Sequence, residues 1–221
     1  KDCVLSAANL NYPKDRLEII VVNDGSADST AQIVSELIGS CKGTDIKLIN
    51  QENLGKGAAV NNGLRLCSGE FFACLDSDSF VEPETLVKML CVFEQHGPDL
   101  SVVTPAMKVF RPKSLLQKLQ RAEYLVALFF YRVMSHFDAL FVAPGPFSIY
   151  RTKIIKKVGY FDERFNLTED LEMTLRLQSR HYRIIQLLEG EVSTIAPKTI
   201  RQLYKQRNRW YKGSIYNALK Y

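Results

Sequence analysis

Apolar runs that alternate with amphipathic stretches organise the first half of the chain. Leu17-Glu18-Ile19-Ile20-Val21-Val22 is almost continuously apolar, the pattern of a strand buried on both faces, and Asn23-Asp24-Gly25-Ser26 is the turn that ends it. Ser29 and Gln32 have capping-box spacing and predict a helix through Ile38. The unit repeats with a strand at Ile46 to Ile49, a loop at Glu52 to Gly57 and a helix from Ala58 to Cys67. Glu70 to Leu75 is a third strand that delivers Asp76 and Asp78, and Pro83 suits the first turn of the next helix. Strands alternating with helices imply parallel β-structure, in which ligands bind beyond the carboxyl ends of the strands. Asp24 and Asp76 both fall at such ends.

Beyond the strand at Leu100 to Val103 the alternation fades. Ser114 to Phe137 predicts a long helix with basic residues before and within an unusually apolar stretch, Leu125 to Tyr131. That stretch is shorter than the about 20 residues a membrane span needs. It suits a helix lying on a membrane or against a neighbour, and equally a helix packed on its own core. Ala139 to Val142 and Phe147 to Tyr150 are short strand candidates on either side of Pro144-Gly145-Pro146, followed by a helix from Thr152 to Val158. Asn166 and Glu169 have capping-box spacing, which places Glu169 and Asp170 in the first turn of a helix running to about Ser179. Arg183 to Leu187 reads as a strand, and the basic segment from Thr199 onward as helical.

With 46% hydrophobic and 24% charged residues in 221, the chain is globular and long enough for one substantial core. A formal net charge of +5 favours an anionic partner: nucleotide phosphates, anionic lipid head groups or nucleic acid. An interleaved aromatic platform is absent, which argues against nucleic acid. Five cysteines, an odd number without a CxxC pair, fit a reducing cytosolic setting. Lys1 to Leu5 lacks the apolar core of a signal peptide.

Several segments carry chemistry, and each also has a plainer explanation. Asp76-Ser77-Asp78 offers two carboxylates that a turn can aim at one hard divalent cation such as Mg²⁺ or Mn²⁺, but Asp and Ser are also ordinary turn residues. Asp24 lies in turn chemistry of the same kind. Lys56 stands between Gly55 and Gly57 without the glycine spacing or following Ser/Thr of a phosphate-binding P-loop, and Val60 breaks a dinucleotide-binding GxGxxG. Glu169, Asp170 and Glu172 complement a helix dipole, while an Asp there could also serve as a general base. Gln206, Arg209 and Trp210 share one helical face; a lone tryptophan is most often a packing residue. His96, His136 and His181 have no metal-ligand spacing.

In order, Asp24, Asp76-Ser77-Asp78, Thr168-Glu169-Asp170 and Gln206-Arg207-Asn208-Arg209-Trp210 resemble the D, DxD, TED and QxxRW series of family 2 glycosyltransferases. The resemblance covers nearly the whole chain, and Gly213 after QxxRW points to the polysaccharide-synthase branch of cellulose, chitin and hyaluronan synthases. It implies an α/β, Rossmann-like GT-A fold with a mixed, mainly parallel sheet flanked by helices, forming one catalytic domain over residues 1–221. The implied reaction is inverting, metal-dependent transfer of a hexosyl or N-acetylhexosaminyl group from a nucleotide sugar, usually a UDP-sugar, to a growing glycan. By the same resemblance Asp170 is the catalytic base, and Asp24, Lys56, Asp76, Gln206 and Arg209 bind the donor. Glu169 and Trp210 face the acceptor, and Asp76 with Asp78 holds Mg²⁺ or Mn²⁺.

Two other readings explain part of the same motifs: a non-processive family 2 transferase acting on a lipid or protein, and a catalytically silent nucleotide-sugar-binding domain. The family also carries a first strand, ending in a P-x-Y-N-E-like segment, ahead of the region resembling Val4 to Leu10, and membrane helices after QxxRW. The expectation is therefore a piece of a longer membrane enzyme at the cell membrane, its catalytic domain cytoplasmic, touching lipid through flanking segments and residues 114–137. Without the first strand, the strand at Leu17 to Val22 is expected to expose an edge and the base pocket to lack a wall.

Overall fold

The first apolar run forms β1 (Glu18–Asp24), paired in parallel along its length with β2 (Asp45–Gln51). In this computed structural model, which describes residues 1–41, 43–164 and 167–221, α1 (Asp2–Ala8) and a 3₁₀ turn at Lys14–Arg16 come before β1. Two helices, α2 (Thr30–Ser40) and α3 (Lys56–Leu66), pack on the β1/β2 pair. The Ser29/Gln32 capping box does not form. Asp28 instead accepts from the backbone N–H and hydroxyl of Thr30, so the carboxylate one residue upstream orders the helix start.

A second sheet has the order β3 (Phe71–Ala73), β6 (Ile149–Arg151), β5 (Leu100–Val109), β7 (Arg183–Thr194), β4 (Ser79–Val81). Its long ladder, β5 with β7, is parallel, and the three short ladders are antiparallel. The parallel character read from the sequence thus rests on the two long ladders. Pro105 has no N–H to give to the β5/β7 ladder, and the register shifts there. The buried Gln186 side chain fills the break, donating to the carbonyls of Thr104 and Pro105 and accepting from the Thr104 hydroxyl.

Successive residues of a strand point to opposite faces, and this divides the core in two. Val102, Tyr150 and Ile184 join one cluster with α6 (Thr152–Val158) and α7 (Glu169–Gln178). Their neighbours Val103, Ile149 and Ile185 join the other with α4 (Thr85–His96). Between β1 and β3 lies a cavity of about 1560 Å³, lined in part by Ile19, Val21, Phe71 and Ala73. On the described residues β1 pairs with β2 alone, so its other edge faces this cavity, as expected for the strand at Leu17 to Val22.

Two long helices complete the fold. Ser114 caps α5 (Leu115–His136) and Thr199 caps α8 (Ile200–Lys220), each through a full capping box. Ala139 to Val142 is not a strand. Asp138 has φ of 51°, which turns the chain, and Leu140 and Ala143 are buried from an irregular segment. Phe147 is likewise left-handed, with φ of 58° and its N–H on the Cys74 carbonyl, so β6 begins only at Ile149. Pro83 lies before the α4 cap, Glu84, rather than inside the helix. Asn166 lies outside the described residues; Thr168 is the N-cap of α7 and makes no side-chain cap bond.

Candidate active site

Asp24 closes β1 and organises the loop after β2. Its Oδ1 accepts from Leu54 N at 2.8 Å and Gln51 Nε2 at 2.8 Å, and its Oδ2 accepts from Gly55 N at 2.9 Å. Burial works to raise its pKa, but these donors outweigh burial and hold the carboxyl below the usual range. The loop so fixed delivers Lys56 as the first residue of α3.

The Lys56 ammonium lies 2.7 Å from Asp76 Oδ1 and 3.0 Å from Glu169 Oε1. Burial disfavours its charge, yet the facing carboxylates of Asp76, Glu169 and Asp170 prevail and hold it well above the ordinary lysine range. The Glu169 side chain is only 5% exposed, so this ion pair satisfies an otherwise isolated buried charge. Asp170 is pinned through both oxygens: Oδ1 accepts from Leu171 N at 2.8 Å and Oδ2 from Gly145 N at 3.1 Å. Burial first, then the charge of Glu169, pushes its carboxyl from 3.8 up to about 6, with Lys56 opposing the rise. A half-buried carboxyl that titrates near neutrality is suited to taking a proton.

Asp78 shares the turn with Asp76, three to five residues past the end of β3, and its Oδ1 accepts from Ser79 Oγ at 3.2 Å. Among the described residues no group of three or more His, Cys, Asp or Glu side chains forms a metal cluster. The carboxylates of this turn are nevertheless hard oxygen donors, and Asp76 already holds one cation, the Lys56 ammonium. A divalent ion fits that donor chemistry.

The C-terminal helix borders this cluster. Gly213 presses against Thr168, and Asn217 donates to the Thr168 carbonyl and hydroxyl. Arg209 donates to the Leu167 carbonyl at 2.6 Å, so it ties α8 to the turn that carries Glu169 and Asp170. Arg207 pairs with Glu123 of α5 at 2.7 Å and stacks over Trp210 at 4.3 Å from the ring centroid. Gln206 Oε1 is buried with no hydrogen-bond partner among the described residues.

Of the residues singled out in the sequence, Lys56, Asp76, Glu169 and Asp170 meet directly. Asp24 acts one step behind them through the loop, and Gln206, Arg209 and Trp210 line up along α8. Two contributors were missed. Gly145 stood only as the centre of a Pro-Gly-Pro break between strand candidates, and Tyr131 of α5, whose hydroxyl is raised by burial and then by the charge of Asp170, as part of an apolar helix. The paired prolines around Gly145 were the only sequence signal for the first.

Two sheets flanked by helices, bringing acidic turns and a lysine together beyond their strand ends, make up a GT-A fold. The solved structure of the mannosyltransferase PcManGT from Pyrobaculum calidifontis, in complex with GDP-Man and Mn2+, superposes with a TM-score of 0.72 at 20% identity over 91% of this chain and 54% of that one. Staphylococcus aureus TarS superposes with a TM-score of 0.65 at 25% identity, over 89% of this chain and 34% of that one. The family described as "Glycosyltransferase like family 2" matches residues 1–213. Poly-beta-1,6-N-acetyl-D-glucosamine synthase of Staphylococcus epidermidis is 33% identical over 215 residues, 96% of this chain and 50% of that protein. The enzyme of the same name from Staphylococcus aureus strain COL is 31% identical over the same length. The chain belongs to the family 2 glycosyltransferases, and it spans about half the length of these curated relatives.

Proposed function

We propose that this chain is the catalytic domain of a polysaccharide synthase of the QxxRW branch, one that transfers N-acetylglucosamine from a UDP-sugar to the end of a growing glycan. The observation that carries this reading is the meeting of Lys56, Asp76, Glu169 and Asp170 in one half-buried cluster beyond the strand ends. The relatives named for poly-N-acetylglucosamine synthesis and the TarS complex with UDP-GlcNAc support this choice of sugar and donor.

In this mechanism the acceptor hydroxyl attacks the anomeric carbon while its bond to the diphosphate breaks, which inverts the configuration. Asp170 takes the hydroxyl proton, and the bonding electrons leave with the diphosphate. Lys56 and Arg209 carry positive charge on the side where the leaving group gathers negative charge. Asp24 holds the loop under the donor, and Glu169 keeps Lys56 in place. Gln206 and Trp210 contribute an amide and an aromatic face along α8, with Trp210 on the acceptor. Asp76 and Asp78 would hold Mg²⁺ or Mn²⁺, which supplies Lewis-acid neutralisation of the diphosphate.

The same reading places the enzyme at the cell membrane with this domain on its cytoplasmic side. No described helix is long and apolar enough to cross a membrane. Instead α5 buries Gln117, Gln120, Tyr124 and Leu128 and turns Leu119, Val126, Phe129 and Phe130 outward, with Lys113, Lys118 and Arg121 nearby. An apolar stripe bordered by cations suits a helix lying in the head-group region.

The deciding experiment gives the full-length protein a panel of nucleotide sugars with and without Mg²⁺ or Mn²⁺, and follows UDP release and product length. Divalent-dependent release from UDP-N-acetylglucosamine with polymer formation is expected. Single-sugar products would replace the synthase by a non-processive transferase, and no release from any donor would sink the reading.

A further inference from the structure

The loop between α5 and β6 is held on both sides of the site. Ala143 N donates to the hydroxyl of Thr174, one turn along α7 from Asp170, at 2.9 Å. Phe147 N donates to the carbonyl of Cys74, two residues before Asp76. Within the loop the Ser148 hydroxyl donates to the Pro144 carbonyl. Pro144 restricts the backbone just before Gly145 further. Gly145, buried at the centre of this loop, is therefore referenced to both the Asp76 strand and the Asp170 helix.

Its backbone is not left-handed, so conformational freedom does not explain a glycine here. Space does. A β-carbon on Gly145 would lie 2.9 Å from Lys56 Nζ, 3.6 Å from Asp170 Oδ2 and 3.8 Å from Asp76 Oδ2. Resting on the transferase reading, that point lies between the base and the groups that face the diphosphate, where the acceptor hydroxyl has to pass. The oxygen it faces, Asp170 Oδ2, is the one whose remaining lone pair is free of the α7 backbone.

We propose that Gly145 is a positioning and size-determining residue for the acceptor. Its amide fixes Asp170 Oδ2, and its missing side chain leaves the space in which the acceptor oxygen meets that carboxylate. The nearest obstacle to a methyl group there is the ammonium end of the Lys56 side chain, ion-paired with Asp76 and Glu169, and not backbone, so Gly145→Ala keeps the fold and shifts that ammonium at the centre of the site.

The test compares wild type, Gly145→Ala and Pro146→Ala in the full-length protein, measuring melting temperature, UDP affinity by calorimetry, and transfer and donor hydrolysis separately. Gly145→Ala is expected to melt like wild type, to weaken UDP binding by no more than about threefold because the Lys56 charge is shifted but kept, and to lose transfer kcat by about 30-fold or more, in the lower part of the range for a disturbed general base. Hydrolysis, in which water is the acceptor, should fall less, so the ratio of hydrolysis to transfer rises. Pro146→Ala leaves both amide and space intact and should transfer within about threefold of wild type. Wild-type transfer by Gly145→Ala, an unchanged hydrolysis ratio, or equal loss in Pro146→Ala would overturn the proposal. A wild-type protein that releases UDP from no donor would instead overturn the transferase reading on which it rests.

Discussion

Gly213 of α8 packs directly on Thr168, the residue before Glu169 and Asp170, and a β-carbon at Gly213 would overlap the Thr168 hydroxyl and sit 2.6 Å from its Cγ2. The spacing between the C-terminal helix and the turn bearing the base is thus set by the absence of one side chain. Asn217 and Arg209, on either side of Gly213, bond to the Thr168 and Leu167 carbonyls and complete the joint.

Gly213→Ala should therefore overpack this joint, lowering stability by about 1–3 kcal/mol, the usual range for overpacking. Transfer should fall with it as α8 moves away from Asp170. Adding Thr168→Ala removes the two closest atoms and should recover part of the melting temperature. Equal melting of Gly213→Ala and wild type would show that the joint yields without cost.

Asp170 makes transfer pH-dependent. With its carboxyl at about 6, the rate should fall as pH drops below that value, because a protonated acid cannot accept the acceptor's proton. The stability effect has the opposite direction. The folded state binds this proton more tightly than the unfolded chain, so ionising Asp170 costs stability as pH rises from about 4 to about 6, and the cost is constant above. Asp170→Asn should abolish transfer, keep UDP binding and remove that slope from the melting temperature. A variant that binds no UDP would move Asp170 to the donor.

Lys56→Met removes the cation that faces Asp76, Glu169 and Asp170. Donor affinity should drop, and any residual transfer should show its acidic limb at higher pH, because Lys56 now holds the Asp170 carboxyl down. An unshifted limb in the pH–rate profile would separate Lys56 electrostatically from the base.

The outward face of α5 is open to a direct test. Phe129 is 72% exposed and Val126 is 70% exposed, so Phe129→Glu and Val126→Glu should leave melting unchanged. Under the membrane reading both should weaken co-flotation with vesicles containing anionic lipid. Undiminished flotation of the double variant would remove this helix face from the membrane contact.

Much of this architecture was legible along the chain. The run at Leu17 to Val22, the helix at Thr152 to Val158 and the long helix after Ser114 declare themselves through local periodicity and caps, which depend on neighbours a few residues away. The acidic turns were legible for the same reason, since a strand that ends in Asp places that Asp at the sheet's rim. What local pattern could not carry was any decision made by packing. Whether Ser29 or Asp28 orders α2, and whether Ala139 to Val142 is a strand or a buried irregular segment behind a left-handed Asp138, depends on tertiary surroundings. So do the pairing of Lys56 with Glu169 across more than half the chain, the use of Arg209 on the Leu167 carbonyl, and the need for glycine at positions 145 and 213. A sequence shows which residues can bear charge or lack a side chain. Only the folded chain brings Lys56, Asp76 and Asp170 close enough to shift one another's protons, and leaves Gly145 as the gap between them, because electrostatic coupling and excluded volume act through distance in space.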